Sequence, residues 1–439
     1  TIAYHHDFAR NWYKLQGINS GGTGASGDVS ISSVLADPVT YAAEYDLAVG
    51  TASLDNSIVY RANRRAYYSE GVQSVLNWKT AFGGIDHDLT IGARIHQDEE
   101  DRFQEEDAYR LDGGQLVLTA AGATGSQANR ISSGEALALF VQDKFTIGRL
   151  SVTGGARFED YKLTREDYAT SDPARAAGPS RVRELSDTVV VPGLSALYEL
   201  SETTTLLAGV HRGFAIASPG TTDADVEESV NWEAGGRYSR GGFELEAIAY
   251  FNDYSNLLGT CTASSGGGCA VGDQFNGGDV DVQGLEVTAS WDAGSALETD
   301  LSIPLSLVYT LTDAEFQTSF ESDYEPWGNV VAGDELPYIA DQQLTLSAGL
   351  ETGRWGASLS GNYVSDARAR AGQGSIPERE RIEARWVADM AVWVDLTDRI
   401  RVRAKAENLF DEVYVASIDP AGLRPGKPFE FLMGVEVSF

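Results

Sequence analysis

The stretch that decides the fold is RVRAKAEN, Arg401 to Asn408. In an extended chain Arg401, Arg403, Lys405 and Glu407 point to one side and Val402, Ala404 and Ala406 to the other, which is the period of two of a β-strand. The same alternation runs outward from it in both directions. Downstream, Phe429, Phe431, Met433, Val435, Val437 and Phe439 share one phase, with Glu430, Gly434, Glu436 and Ser438 between them. Upstream, Trp386, Met390, Val392 and Val394 oppose Arg385, Asp389 and Asp395. Leu137, Leu139 and Val141 oppose Gln142 and Lys144, and Val152, Ala156 and Phe158 oppose Thr153, Arg157 and Glu159.

Collected along the chain, such windows predict about sixteen strands, near 1–14, 69–83, 86–100, 133–147, 150–165, 185–201, 203–216, 226–240, 242–258, 274–292, 299–314, 339–352, 354–368, 381–397, 400–415 and 426–439. Their connections alternate. Short turns such as Gly148-Arg149, Ser201-Glu202, Arg240-Gly241 and Thr397-Asp398 are followed by long loops, among them 15–68, 97–132, 256–275 and 314–338. Tight turns at one end, long loops at the other, an even strand count and one apolar stripe per strand describe an all-β, transmembrane antiparallel β-barrel, with residues 1–439 as one sheet. A soluble sandwich fits less well, because strands of 12 to 16 residues far exceed the usual five or six. A membrane crossing needs only about 9–11 residues, so the excess should project as a rim on the long-loop side. Val280 and Val282 are out of phase with Leu285, Val287, Ala289 and Trp291, which predicts a bulge near Gly284.

Composition agrees. The 439 residues carry 33 basic and 65 acidic side chains, a formal net charge of −32, so no basic stripe is available for a nucleic-acid partner. At 42% apolar and 10% aromatic the chain is a core former rather than a disordered acidic polymer. No run reaches the roughly 18 consecutive apolar residues of a membrane-spanning helix, and low mean hydropathy does not exclude a barrel, whose apolar residues are interleaved. The opening TIAYHHDFARNWYKLQ has no apolar core and no cleavage site, so it is not a signal peptide.

AENLFDEVYVAS, Ala406 to Ser417, followed by GLRPGKPFEFLMGVEVSF to Phe439, resembles the end of TonB-dependent outer-membrane receptors. LALFVQDKF (Leu137–Phe145), GVHRGFAIASPG (Gly209–Gly220) and EESVNWEAGGRY (Glu227–Tyr238) look like other stations of that family, in the same order. The group most resembled is the ferric dicitrate and siderophore receptor branch. The resemblance implies the outer membrane of a Gram-negative bacterium as location, a 22-stranded barrel around an N-terminal plug, and transport of a ferric chelate such as ferric citrate or another siderophore, driven by the TonB complex pulling on that plug. This sequence shows neither plug nor TonB box. Its first strand leads into a long loop, as the family's seventh would, so the expectation is a C-terminal barrel portion, a fragment or one half of a split gene product, and a fragment would need a second polypeptide to close it. The alternatives are a complete 16-stranded diffusion porin and a surface receptor or adhesin without transport.

The chain has 27 arginines to 6 lysines, and arginine's planar fork suits carboxylates. For an anionic chelate the candidate ligand-binding residues are Arg61, Arg64 and Arg65 before the second strand, Arg368 and Arg370 after the thirteenth, and Arg379 and Arg381 before the fourteenth, with Tyr67, Tyr363 and Trp327 as aromatic walls. The competing reading is that these arginines balance nearby acids or contact lipopolysaccharide. Arg157, Arg401 and Arg403 read as charges that hydrate the lumen. Gln97 to Asp107, QDEEDRFQEED, reads as a solvated face at the start of an outer loop, or as a divalent-cation site facing lipopolysaccharide phosphates, and as a poor surface for an anion. Cys261 and Cys269 bracket TASSGGG in a long loop and are expected to form a disulfide, worth about 2–3 kcal/mol through the unfolded state.

Nothing supports catalysis, a cofactor or a metal centre. The five histidines are scattered, and His5 and His6 face opposite sides of one strand. Gly22, Gly24 and Gly27 form a GxGxxG string in a loop without strand–turn–helix context.

Overall fold

The structure is a computed structural model that describes residues 1–24, 27–218, 226–261, 273–297, 299–418 and 423–439. Among the described residues a single antiparallel sheet holds seventeen strands, the short Gln115–Ala120 and sixteen others that follow one another. The sixteen are β1 (Ile2–Ile18), β2 (Ile58–Phe82), β3 (Ile85–Asp112), β4 (Ala128–Ile147), β5 (Leu150–Asp167), β6 (Arg181–Ser201), β7 (Thr204–Ala215) and β8 (Glu227–Arg240). Then come β9 (Phe243–Ser255), β10 (Val280–Asp292), β11 (Pro304–Phe316), β12 (Gln342–Glu351), β13 (Trp355–Val364), β14 (Arg385–Thr397), β15 (Ile400–Glu407) and β16 (Glu430–Val437). Each pairs with its sequence neighbours. Among the described residues β1 pairs only with β2, and β16 only with β15.

The expected strand count and the alternation of turns with loops are both found. The turns are made tight by glycine: Gly83-Gly84 and Gly241-Gly242 hold positive φ at both positions, which matches the twist of a two-residue hairpin. On β2 the outward face carries Val72, Leu76, Trp78 and Phe82, and Leu76 and Trp78 are 60% and 56% exposed. Such exposure makes sense only against lipid. The belt from 72 to 82 has the length of one membrane crossing. It stops at a polar row in strict register, His5–Glu70–Gln97–Glu135–Lys162–Ser186. The opposite face is polar. There Arg401 pairs with Asp395 at 2.6 Å and lies over Trp393 at 4.2 Å, and Arg157 pairs with Glu159 at 2.5 Å.

Three expectations change. β2 and β3 run 25 and 28 residues, so Arg61, Arg64 and Arg65 lie within β2, and the acidic run lies within β3 rather than in a loop. Their long-loop ends stay paired because the acids and arginines of the two strands neutralise each other across the ladder. Second, no bulge occurs at Gly284, which pairs with Tyr250 and Thr312 in unbroken register. Val280 changes phase because its surroundings change: above the belt it turns inward and is fully buried in a cluster with Phe316, Trp327 and Val330. Third, the later strands are shorter than predicted. β15 ends at Glu407 because Asn408 adopts positive φ, and its buried side chain donates to the carbonyls of Glu412 and Lys427.

The long loops carry local structure. Ile31–Ala36 and Ala42–Val49 are short helices between β1 and β2, the first capped by Ser30 Oγ accepting from Ser33 N at 3.0 Å. Gln115–Ala120 folds back on β3. Leu258–Thr260 and Gln274–Asn276 form a two-stranded ribbon in the loop after β9.

Candidate functional site

On the polar face, above the membrane belt, the ladder places four arginines directly opposite one another. Arg10 on β1 pairs with Arg65 on β2, Arg65 with Arg102 on β3, and Arg102 with Arg130 on β4, after which Arg130 meets Asp167 on β5. Neighbouring strands are about 4.8 Å apart, so this is a line of like charges at the closest spacing a sheet offers, an arrangement that costs stability.

Little of that charge is neutralised. Arg65 donates Nη1 to Glu100 at 2.9 Å, and Arg10 donates to the Tyr67 hydroxyl at 2.9 Å. Asp167 is already taken, accepting from both Arg165 and Arg183 at 2.9 Å. The Nε atoms of Arg65, Arg102 and Arg130 are buried without a hydrogen-bond partner, and Arg102 is only 4% exposed. Burial, followed by the charges of Arg165 and Arg65, pushes the Arg130 guanidinium down to about 10. It is still charged at neutral pH and would gain from an anion.

The row floors a cleft of about 780 Å³. Arg165 joins it from β5, Phe8, Trp12 and Tyr67 supply an aromatic side, and Ser218, Thr260 and Cys261 from two long loops reach over it. Phe8 stacks on Tyr67 with centroids 5.9 Å apart. Five arginines line the cleft against three acids, Asp98, Glu99 and Glu100, a local excess of positive charge in a chain of net charge −32. Burial, then neighbouring Asp101, raises the pKa of the Glu99 carboxyl.

Of the residues singled out in the sequence, Arg65 and Tyr67 line this cleft. Arg61 is on the same face, paired with Glu106, whereas Arg64 is on the opposite face, paired with Glu105 at 2.5 Å. The other four are in the loop after β13, away from the row. Arg368 is buried and donates to Glu335 at 2.7 Å, and Arg370 donates to Glu325 at 2.7 Å, so both tie that loop to the one after β11. Arg379 lies in a single 3₁₀ turn, and Arg381 donates to the Ile376 carbonyl at 2.9 Å. Tyr363 packs on Trp386 on the outward face, and Trp327 is buried among loop residues. Cys261 is buried at the cleft, while Cys269 lies outside the described residues.

Sequence reading missed Arg10, Arg102 and Arg130. Arg102 is the one base inside QDEEDRFQEED, and its neighbours hide it. Only cross-strand register, which a single sequence does not state, puts it beside Arg65 and Arg130.

Comparison with known proteins bears on the same geometry. Residues 1–409 match the family model described as TonB dependent receptor-like, beta-barrel. The catecholate siderophore receptor Fiu of Escherichia coli O6:H1 is 24% identical over 410 residues, covering 81% of this chain and 49% of that protein, so the chain spans about half the length of the curated relatives it matches. Among solved structures, the ferric citrate transporter FecA in its unliganded form superposes with a TM-score of 0.69 at 21% identity, over 88% of this chain and 57% of the other. The pyoverdine receptor FpvA from Pseudomonas aeruginosa, bound to pyoverdine, gives 0.66 at 14% identity, over 88% and 55%. These likenesses establish the barrel fold, and the match across most of the sequence establishes the lineage: the chain belongs to the TonB-dependent receptor β-barrel family.

Proposed function

We propose that this chain forms barrel wall and outer mouth of a Gram-negative outer-membrane transporter that takes up an anionic ferric chelate, ferric citrate or another siderophore, by TonB-dependent active transport. The observation that carries the reading is the in-register row Arg10–Arg65–Arg102–Arg130 with three unpartnered buried Nε atoms. A line of cations held at ladder spacing costs folding energy and is offset by a ligand with several anionic oxygens. The aromatic side made by Phe8, Trp12 and Tyr67 suits a chelate that also carries aryl rings, as in the catecholates named for one relative.

The protein wall performs no chemistry. It seals against lipid through its apolar belt, touches lipopolysaccharide with its rim, and holds the chelate at the mouth. Energy enters through the TonB complex, acting on the plug that the family resemblance implies. The edges of β1 and β16, unpaired among the described residues, support a wall completed by further strands, from the same or a second polypeptide, toward the 22 of the family.

The test is uptake of radiolabelled iron, offered as ferric citrate and as a ferric tris-catecholate, in cells stripped of other receptors. Transport that requires TonB and falls at least tenfold in an Arg102→Gln, Arg130→Gln double variant supports the reading. Uptake that persists without TonB, with an open conductance in planar bilayers, identifies a diffusion porin instead.

A further inference from the structure

We propose that Trp327 is a positioning residue for the roof of the arginine cleft, although it does not line the cleft. Only the functional half of this inference rests on the chelate reading above. The roof residues Thr260 and Cys261 are carried by the ribbon Leu258–Thr260/Gln274–Asn276, which has three residue pairs. A two-stranded ribbon so short is marginal in water by itself, so something outside it must fix its place.

Trp327 does so. It sits in the loop after β11, and its indole lies against Gly259 of the ribbon and Gly277, the residue that follows the ribbon's second strand. A Cβ added at Gly259 or at Gly277 would lie 2.5 or 2.6 Å from its Cη2 atom. Neither glycine has a positive φ, so backbone conformation does not call for glycine at either position. The close approach of the ring does. The ring is 6% exposed and meets Tyr324, Phe320 and Phe316 edge-on at 4.9, 5.7 and 5.9 Å. Ribbon residue Phe275 stacks on Tyr324 at 6.0 Å. The Pro326 carbonyl, one residue away, accepts from Ala371 N at 2.9 Å and ties the joint to a third loop. The indole thus connects the roof to a block of packed loops, beside the Leu258 N–H that donates to Glu227 Oε2 at 2.7 Å, and its removal loosens the roof while leaving the arginine row untouched.

The experiment compares wild type with Trp327→Ala and with Gly277→Ala, which removes nothing from the joint and instead forces the ring away. All are prepared as the whole receptor in detergent micelles. In hydrogen exchange read by mass spectrometry, amides of Leu258–Thr260 should exchange at least about tenfold faster in both variants while β2 to β5 keep their protection. Dissociation of ferric citrate or a ferric tris-catecholate, whichever the wild type binds, should quicken about tenfold with association unchanged, a split that general destabilisation does not produce. Unchanged exchange of the ribbon in Gly277→Ala overturns the joint. A loosened ribbon with unchanged dissociation overturns its role as roof. If the wild type binds neither probe, the chelate reading fails, and the exchange arm still decides the joint.

Discussion

Arg61 and Arg102 are both inward-facing arginines of the rim, yet opposite outcomes are expected from their removal. Arg61 neutralises Glu106, whose side chain is 5% exposed, and both of its contacting nitrogens reach that carboxylate. Arg61→Ala strands a buried charge and should lower unfolding stability by about 3–5 kcal/mol, measured in urea titrations of the folded barrel. Arg102 is buried with its Nε atom left without a hydrogen-bond partner, amid other arginines of the row. Arg102→Gln should leave stability unchanged or raise it, while weakening the binding of an anionic chelate about tenfold by titration calorimetry, the usual mark of a residue kept for function at a folding cost. The sequence made the abundance and position of arginine visible, and with them Arg65. It concealed which of the arginines face each other. Arg64 and Arg65 are adjacent in the chain and therefore on opposite faces, whereas Arg10 and Arg130 are 120 residues apart and belong to one row.

At the level of the strand, period-two alternation was fully legible because lipid on one side and water on the other impose it. Sixteen of the sheet's seventeen strands follow from it. Where strands rise above the bilayer that constraint lapses, and the reading weakened at that boundary. β2 and β3 extend as ladders of paired charges instead of becoming loops, and Val280 reverses phase by entering a loop-built core rather than through a bulge. The apolar belt gives a sharp test. Leu76, 60% exposed and midway between Val72 and Phe82, should tolerate arginine poorly: Leu76→Arg is expected to cost about 2–4 kcal/mol in lipid vesicles. Arg157→Leu on the polar face of β5 should cost about 1–3 kcal/mol, since it leaves Glu159, whose side chain is only 16% exposed, without its partner.

For the whole molecule, the two outer edges of the sheet are the feature that sequence length alone left open. Unpaired backbone N–H and C=O groups in a bilayer each cost several kcal/mol, so in the intact receptor the free edges of β1 and β16 should be covered. Slow amide exchange along both edges in the assembled protein would show this, and rapid exchange there would count against a completed wall. Charge distribution has a kinetic counterpart. A chain of net charge −32 repels an anionic chelate at every distance where its field is unscreened, and attraction begins only once the ligand is inside the cleft. Ionic strength that shortens the Debye length to about 8 Å removes the long-range barrier before it touches the short-range contacts. Association should therefore speed up with added salt, opposite to the behaviour of electrostatically steered pairs, and stopped-flow measurements between 10 and 150 mM salt would reveal that inverted slope. The receptor would then be tuned to a saline medium, admitting its ligand most readily where small ions already mask the protein's own charge.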